Sequence, residues 1–83
     1  MRADRVYRVL LTRGGPAPVM LAEPDRVDVV EVVELDSGEV VLFWDARPRD
    51  ARRLAEHLQA DLRALEADEF MTRWSEFDPR DRA

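Results

Sequence analysis

Hydrophobic and polar positions alternate in several short stretches of the chain and then recur at helical spacing. In residues 5–12, RVYRVLLT, Tyr7, Val9 and Leu11 would share one side of an extended chain, with Val6, Arg8 and Leu10 on the other, the pattern of a strand. RGGP at 13–16 is a turn signal, because glycine admits positive φ and Pro16 interrupts the run. PVMLAEP at 18–24 reads either as a short strand bounded by prolines or as an extended loop.

The clearest pattern is a hairpin. VDVVEVVEL at 27–35 and EVVLFWD at 39–45 are rich in valine and aromatics, and Asp36-Ser37-Gly38 lies between them. A three-residue loop with glycine third suits a type I turn closed by a left-handed residue. That loop sets Leu35 opposite Glu39, Val33 opposite Val41 and Glu31 opposite Phe43, and on the other face Val32 opposite Leu42 and Val30 opposite Trp44. One face then carries Val30, Val32, Val40, Leu42 and Trp44. The second carries Val29, Val33, Leu35, Val41 and Phe43, with Glu31 among them. Both faces are apolar, whereas a sheet with one solvated face alternates cleanly. The second face therefore calls for a cover, either the N-terminal segment or a second copy of the chain. Asp28, Glu31 and Glu34 recur every three residues, and a β-bulge near Val30–Glu31 would bring them to one side as an acidic surface.

Residues 48–75 contain helix formers and no internal glycine or proline. Pro48 suits the first turn and Asp50 the positive end of the helix dipole. Arg52/Glu56, His57/Asp61 and Glu69/Arg73 are pairs at i, i+4 suited to an exposed face. At about 100° per residue, Ala51, Leu54, Leu58, Leu62 and Leu65 form one stripe, while Phe70, Trp74 and Phe77 lie some 120° away from it. A straight helix over 48–75 would be ~42 Å long, against ~24 Å for a seven-residue strand. Either the helix bends near Ala67–Glu69 and returns the aromatics to their own sheet, or it overhangs and presents Phe70, Met71, Trp74 and Phe77 to a partner. Aromatics at this spacing suit an apolar groove. Pro79 ends the pattern, so the chain divides into a single domain over 1–78 and a disordered tail over 79–83. The fold class is α+β: an antiparallel sheet of three or four strands in β-β-β-α order, with one long C-terminal helix on one face.

Composition narrows the functional classes. Eighty-three residues without cysteine make one small domain with neither disulfides nor thiolate metal ligands. All thirteen basic side chains are arginine, and lysine, isoleucine and asparagine are absent, as in proteins of GC-rich bacterial genomes. The net charge of −5 is uneven: residues 1–16 sum to +3, residues 17–45 to −7 and residues 46–83 to −1. An acidic middle argues against nucleic-acid binding, which favours a basic stripe. No run of signal-peptide or membrane-span length is present, and a cytoplasmic protein is expected.

Candidate chemistry is sparse. His57 and Asp61 lack an evident third metal ligand. Ser37 and Ser75 have no histidine nearby in sequence. Arg13-Gly14-Gly15 lacks the helix that follows a phosphate loop. No catalytic, cofactor-binding or metal-ligating residues are assigned, and no cofactor is expected. The sequence suggests a non-enzymatic, homodimeric protein–protein interaction or regulatory module. Its surfaces would be the aromatic segment (Phe70, Met71, Trp74, Phe77) and the second sheet face (Val29, Val33, Val41, Phe43). The alternative is an acidic antagonist or nucleic-acid mimic that uses Glu23, Asp25, Asp28, Glu31, Glu34, Asp36 and Glu39 against a basic partner, with Asp28, Glu31 and Glu34 as its acidic surface. A small enzyme with an inter-subunit pocket near His57 or Glu31 has the least support.

Overall fold

A computed structural model describes residues 1–14 and 27–77. The segment 18–24 and the tail 79–83, read above as a strand or loop and as a disordered end, lie outside the described residues. A 3-10 turn at Ala3–Arg5 leads into β1 (Tyr7–Thr12), β2 (Asp28–Glu34) and β3 (Val40–Ala46), followed by α1 (Pro48–Ala64) and α2 (Ala67–Ser75). The strands form an antiparallel sheet in the order β1-β2-β3, with β2 central. The class is α+β, as the pattern suggested, but two helices stand where one long helix was expected.

The hairpin register agrees with the patterning over most of its length. Val30 pairs with Trp44, Glu31 with Phe43 and Val32 with Leu42. The turn differs. Leu35 joins it, and the Gly38 amide donates to the Glu34 carbonyl at 2.8 Å while the Glu34 amide donates to the Glu39 carbonyl at 2.9 Å. Gly38 takes the left-handed conformation at φ 76°, which lets the longer loop close. Val33 consequently faces Val40 rather than Val41, and the register shifts between Val32 and Val33. The bulge thus lies toward the turn rather than at Val30–Glu31, and it sends Val41 toward the core with Leu42.

α1 buries Ala51, Leu54, Leu58 and Leu62 against Val9, Val30 and Val32 on one sheet face. Pro48 opens it, where a missing amide proton is tolerated. Leu65 and Glu66 are both extended, with ψ of 157° and 158°, and this ends the first helix. The break is held from outside. Arg2 and Glu66 form an isolated antiparallel bridge; the Ala3 amide donates to the Leu65 carbonyl and the Ala67 amide to the Met1 carbonyl, both at 2.9 Å. The Arg2 guanidinium donates to the Ala64 carbonyl at 3.1 Å, satisfying one of the orphan acceptors at the end of α1. α2 then restarts with a reciprocal capping box between Glu66 and Glu69.

Breaking and restarting the helix re-aims its side chains. Phe70 is 0% exposed and Trp74 7%, both inside the same core as the leucines of α1. α2 reaches the sheet through rings. Phe70 stacks on Tyr7 of β1 at 5.8 Å, and Trp44 of β3 meets Trp74 and Phe77 edge-on at 6.0 and 6.2 Å. Burying a side chain of this size contributes roughly 2–3 kcal/mol, a large share of what a domain this small can accumulate.

Candidate functional site

With both helices on one side of the sheet, the other side is left uncovered by the described residues. The strand pairing arranges that side as three cross-strand rows. Arg8, Val33 and Val40 form the first; Leu10, Glu31 and Phe43 the second; Thr12, Val29 and Asp45 the third. Phe43 is 63% exposed, and Leu10 and Val40 are also open to solvent, while Val29, Glu31 and Val33 on the central strand are half-buried. An apolar side chain as large as phenylalanine that folding leaves this exposed gains little from its own domain.

Glu31 occupies the centre of this face. Leu10 and Phe43 flank it across the strands, and Val29 and Val33 flank it along its own. Among the described residues its carboxylate takes part in no hydrogen bond or ion pair. Arg8 and Asp45 stand at diagonally opposite corners and give the rim opposite charges.

The structure distributes the other candidate residues differently from expectation. Of the second-face set, Val29, Val33 and Phe43 lie on the open face, and Val41 does not, because the bulge turns it inward. Of the aromatic set, Phe70 and Trp74 are core residues, and Met71 and Phe77 pack half-buried against them. The overhanging patch does not form, since the break at Leu65–Glu66 returns the aromatics to their own sheet. Of the acidic set, Asp28 is 3% exposed on the core face, where its Oδ1 accepts the Gly14 amide at 2.9 Å. Glu34 lies beside the hairpin turn and accepts the Ser37 hydroxyl at 2.7 Å. Asp28, Glu31 and Glu34 therefore share no common surface.

The groups considered for chemistry have structural partners. Asp61 does not pair with His57. Its Oδ2 accepts both Trp74 Nε1 and Arg73 Nη1, each at 3.0 Å, because α2 folds back beside α1. Arg73 is thereby drawn from Glu69, whose carboxylate instead accepts the Glu66 amide at 3.2 Å. Trp44 Nε1 donates to the Phe77 carbonyl at 3.0 Å. Ser37 Oγ accepts the Glu39 amide at 3.2 Å inside the turn. The Gly14 amide, which a phosphate loop would have turned to an anion, donates to Asp28. Among the described residues, no group of three or more histidine, aspartate or glutamate side chains is placed to hold a metal ion. A surface depression lined by Asp68, Glu69, Thr72 and Arg73 is formed by one helix alone and brings together no groups from different elements. Among the described residues, no helix is long and apolar enough to cross a membrane.

Fold and site together define a class: a small α+β domain with two helices on one sheet face and, among the described residues, nothing over the other, which mixes apolar side chains with a central glutamate. No family model matches the chain, and neither a curated protein nor a solved structure matches it.

Proposed function

We propose that this chain is a non-enzymatic protein–protein interaction module whose contact surface is the open face of its sheet. The observation that carries this reading is Phe43, 63% exposed on the edge strand β3, at the end of the row it forms with Glu31 and Leu10. Solvent exposure of Phe43, Leu10 and Val40 forgoes the roughly 25 cal/mol per Å² that covering apolar area would return. A docked chain recovers it.

The homodimer expectation rested on an overhanging aromatic helix and on a two-faced hairpin. Only the second remains as support, since Phe70 and Trp74 are spent inside their own chain. The acidic-antagonist alternative loses the common surface expected of Asp28, Glu31 and Glu34, which do not face the same way.

Site-specific photo-crosslinking in the cells that make the protein tests the reading. A benzophenone side chain at position 43 should give adducts with another polypeptide, and the same group at exposed position 57 on α1 should not. Equal adducts at both positions, or none at 43, would overturn it.

A further inference from the structure

We infer that the partner on the open face is a basic amphipathic helix of another protein, with apolar anchors flanking an arginine or lysine that meets Glu31. This rests on the reading of the open face as a contact surface and names its occupant.

Size points to a single helix. Three strands about 4.8 Å apart and six or seven residues long present a flat footprint of roughly 14 by 20 Å. That is room for one helix, about 10 Å across. On the opposite face of the same sheet one helix, α1, lies over Val9, Val30 and Val32, and α2 reaches the sheet only at Tyr7 and Trp44 through its rings. The footprint falls well below the ~800 Å² per partner of a standard protein–protein interface, for a helix as for a second copy, so charge rather than area distinguishes the occupants.

Charge separates the occupants further. A two-fold axis through the middle of the face would set Glu31 of one copy against Glu31 of the other, and like charges held close at an interface are costly. A guanidinium or ammonium group there would instead make a charge-assisted hydrogen bond to a carboxylate that has no partner among the described residues. The valines, Leu10 and Phe43 around Glu31 would shield that bond from water and strengthen it. A net charge of −5 also steers basic partners toward the chain. Nor do the described residues of a second copy offer a free helix. The leucine face of α1 and the aromatic face of α2 are both buried.

The partner's pattern follows. Apolar residues at i, i+4 and i+7 would contact Phe43, Leu10 and the valines, and one basic residue within that face would reach Glu31.

The test is a selection on the full chain. A phage library of helical peptides of about eighteen residues, randomised along one face, is panned against the wild type. Selected peptides are then measured against Phe43→Asp and Glu31→Lys, with circular dichroism confirming that both variants fold. The expected result is enrichment of arginine or lysine between apolar anchors. Affinity should fall by about tenfold or more on each substitution, and repanning on Glu31→Lys should select acidic peptides. Peptides that need Phe43 but show no basic preference and ignore Glu31→Lys would overturn this inference while leaving the contact surface standing. A dimer in sedimentation that dissociates on Phe43→Asp would do the same, by naming a second copy as occupant. An absence of binders that depend on Phe43, or nuclear Overhauser contacts from Phe43 to residues 15–26, would overturn both.

Discussion

The indole rings of Trp44 on β3 and Trp74 on α2 meet edge-on, with centroids 6.0 Å apart and planes at 69°. Phe77 closes the group, 5.0 Å from Trp74 and 6.2 Å from Trp44. This cluster fastens the second helix to the sheet, so Trp74 acts in folding rather than at a surface. Trp74→Ala should cost about 3–5 kcal/mol, enough to leave much of so small a domain unfolded. Urea denaturation followed by Trp44 fluorescence measures it. Unchanged stability would mean that Trp74 is not part of the core.

Asp61 joins the two helices through a single oxygen that accepts both Trp74 Nε1 and Arg73 Nη1. The two bonds differ in consequence. Asp61→Ala leaves an indole N–H without its partner in a partly buried position, at a cost of about 1–3 kcal/mol. Arg73 is largely exposed, so Arg73→Ala should cost less than about 1 kcal/mol. Equal losses in chemical denaturation of the two variants would contradict this ordering.

Arg2 holds the break between the helices by donating to the Ala64 carbonyl, beside the backbone bonds of Ala3 and Ala67. Arg2→Ala should loosen this junction locally. Amide hydrogen exchange at Ala3 and Ala67 is expected to rise by about tenfold while Val30 and Val32 in the central strand stay protected. Uniform acceleration across the domain would show instead that the junction opens only with global unfolding.

Tyr7 supplies a pH dependence. Burial first, and then the Glu34 carboxylate opposite it on β2, push its phenol above the usual value of 10.0. The raised value means that the fold favours the neutral phenol. Its contribution to stability is therefore complete below a pH of about 10 and is lost as pH rises through the folded-state value. Tyr7→Phe should be close to neutral at pH near 7, within about 0.5 kcal/mol, and should flatten the alkaline decline. Urea midpoints between pH of about 8 and 11 provide the comparison. An alkaline decline of the same slope in Tyr7→Phe would assign it to other groups.

Much of the sheet was legible in the chain because its period is local. Alternation and a glycine-bearing turn suffice to pair Val30 with Trp44 and Val32 with Leu42. The extra turn residue was not legible, since Leu35 continues the apolar alternation and only hydrogen bonding shows it leaving the strand. The same small shift explains Val40 and Val41: a bulge at the turn end exchanges their faces, sending Val40 to the open side and Val41 to the core, and leaves the rest of the hairpin in register. The helix break was visible only indirectly, as a 120° jump from the leucines to the aromatics. Leu65 and Glu66 are good helix formers. What holds them extended is the N-terminal segment some sixty residues away, which no local reading contains. Glu66-Ala67-Asp68-Glu69 does form a capping box, but glutamate at its first position lacks the serine or threonine that usually announces one. The open face was legible as a second apolar face with Glu31 inside it. The burial of the aromatic segment was not legible, because exposure, unlike period, depends on where the helix folds back.

Whether the face around Phe43 stands open in the free protein can be measured directly, because the chain contains no cysteine. A single thiol placed by Phe43→Cys reports solvent access through its rate of reaction with a disulfide reagent, with Leu58→Cys as the buried reference. The expected result is a rate for Phe43→Cys within about tenfold of the urea-unfolded chain, independent of protein concentration. A thiol protected by more than about a hundredfold in dilute protein would place the chain's own residues over the face and contradict its role as a contact surface.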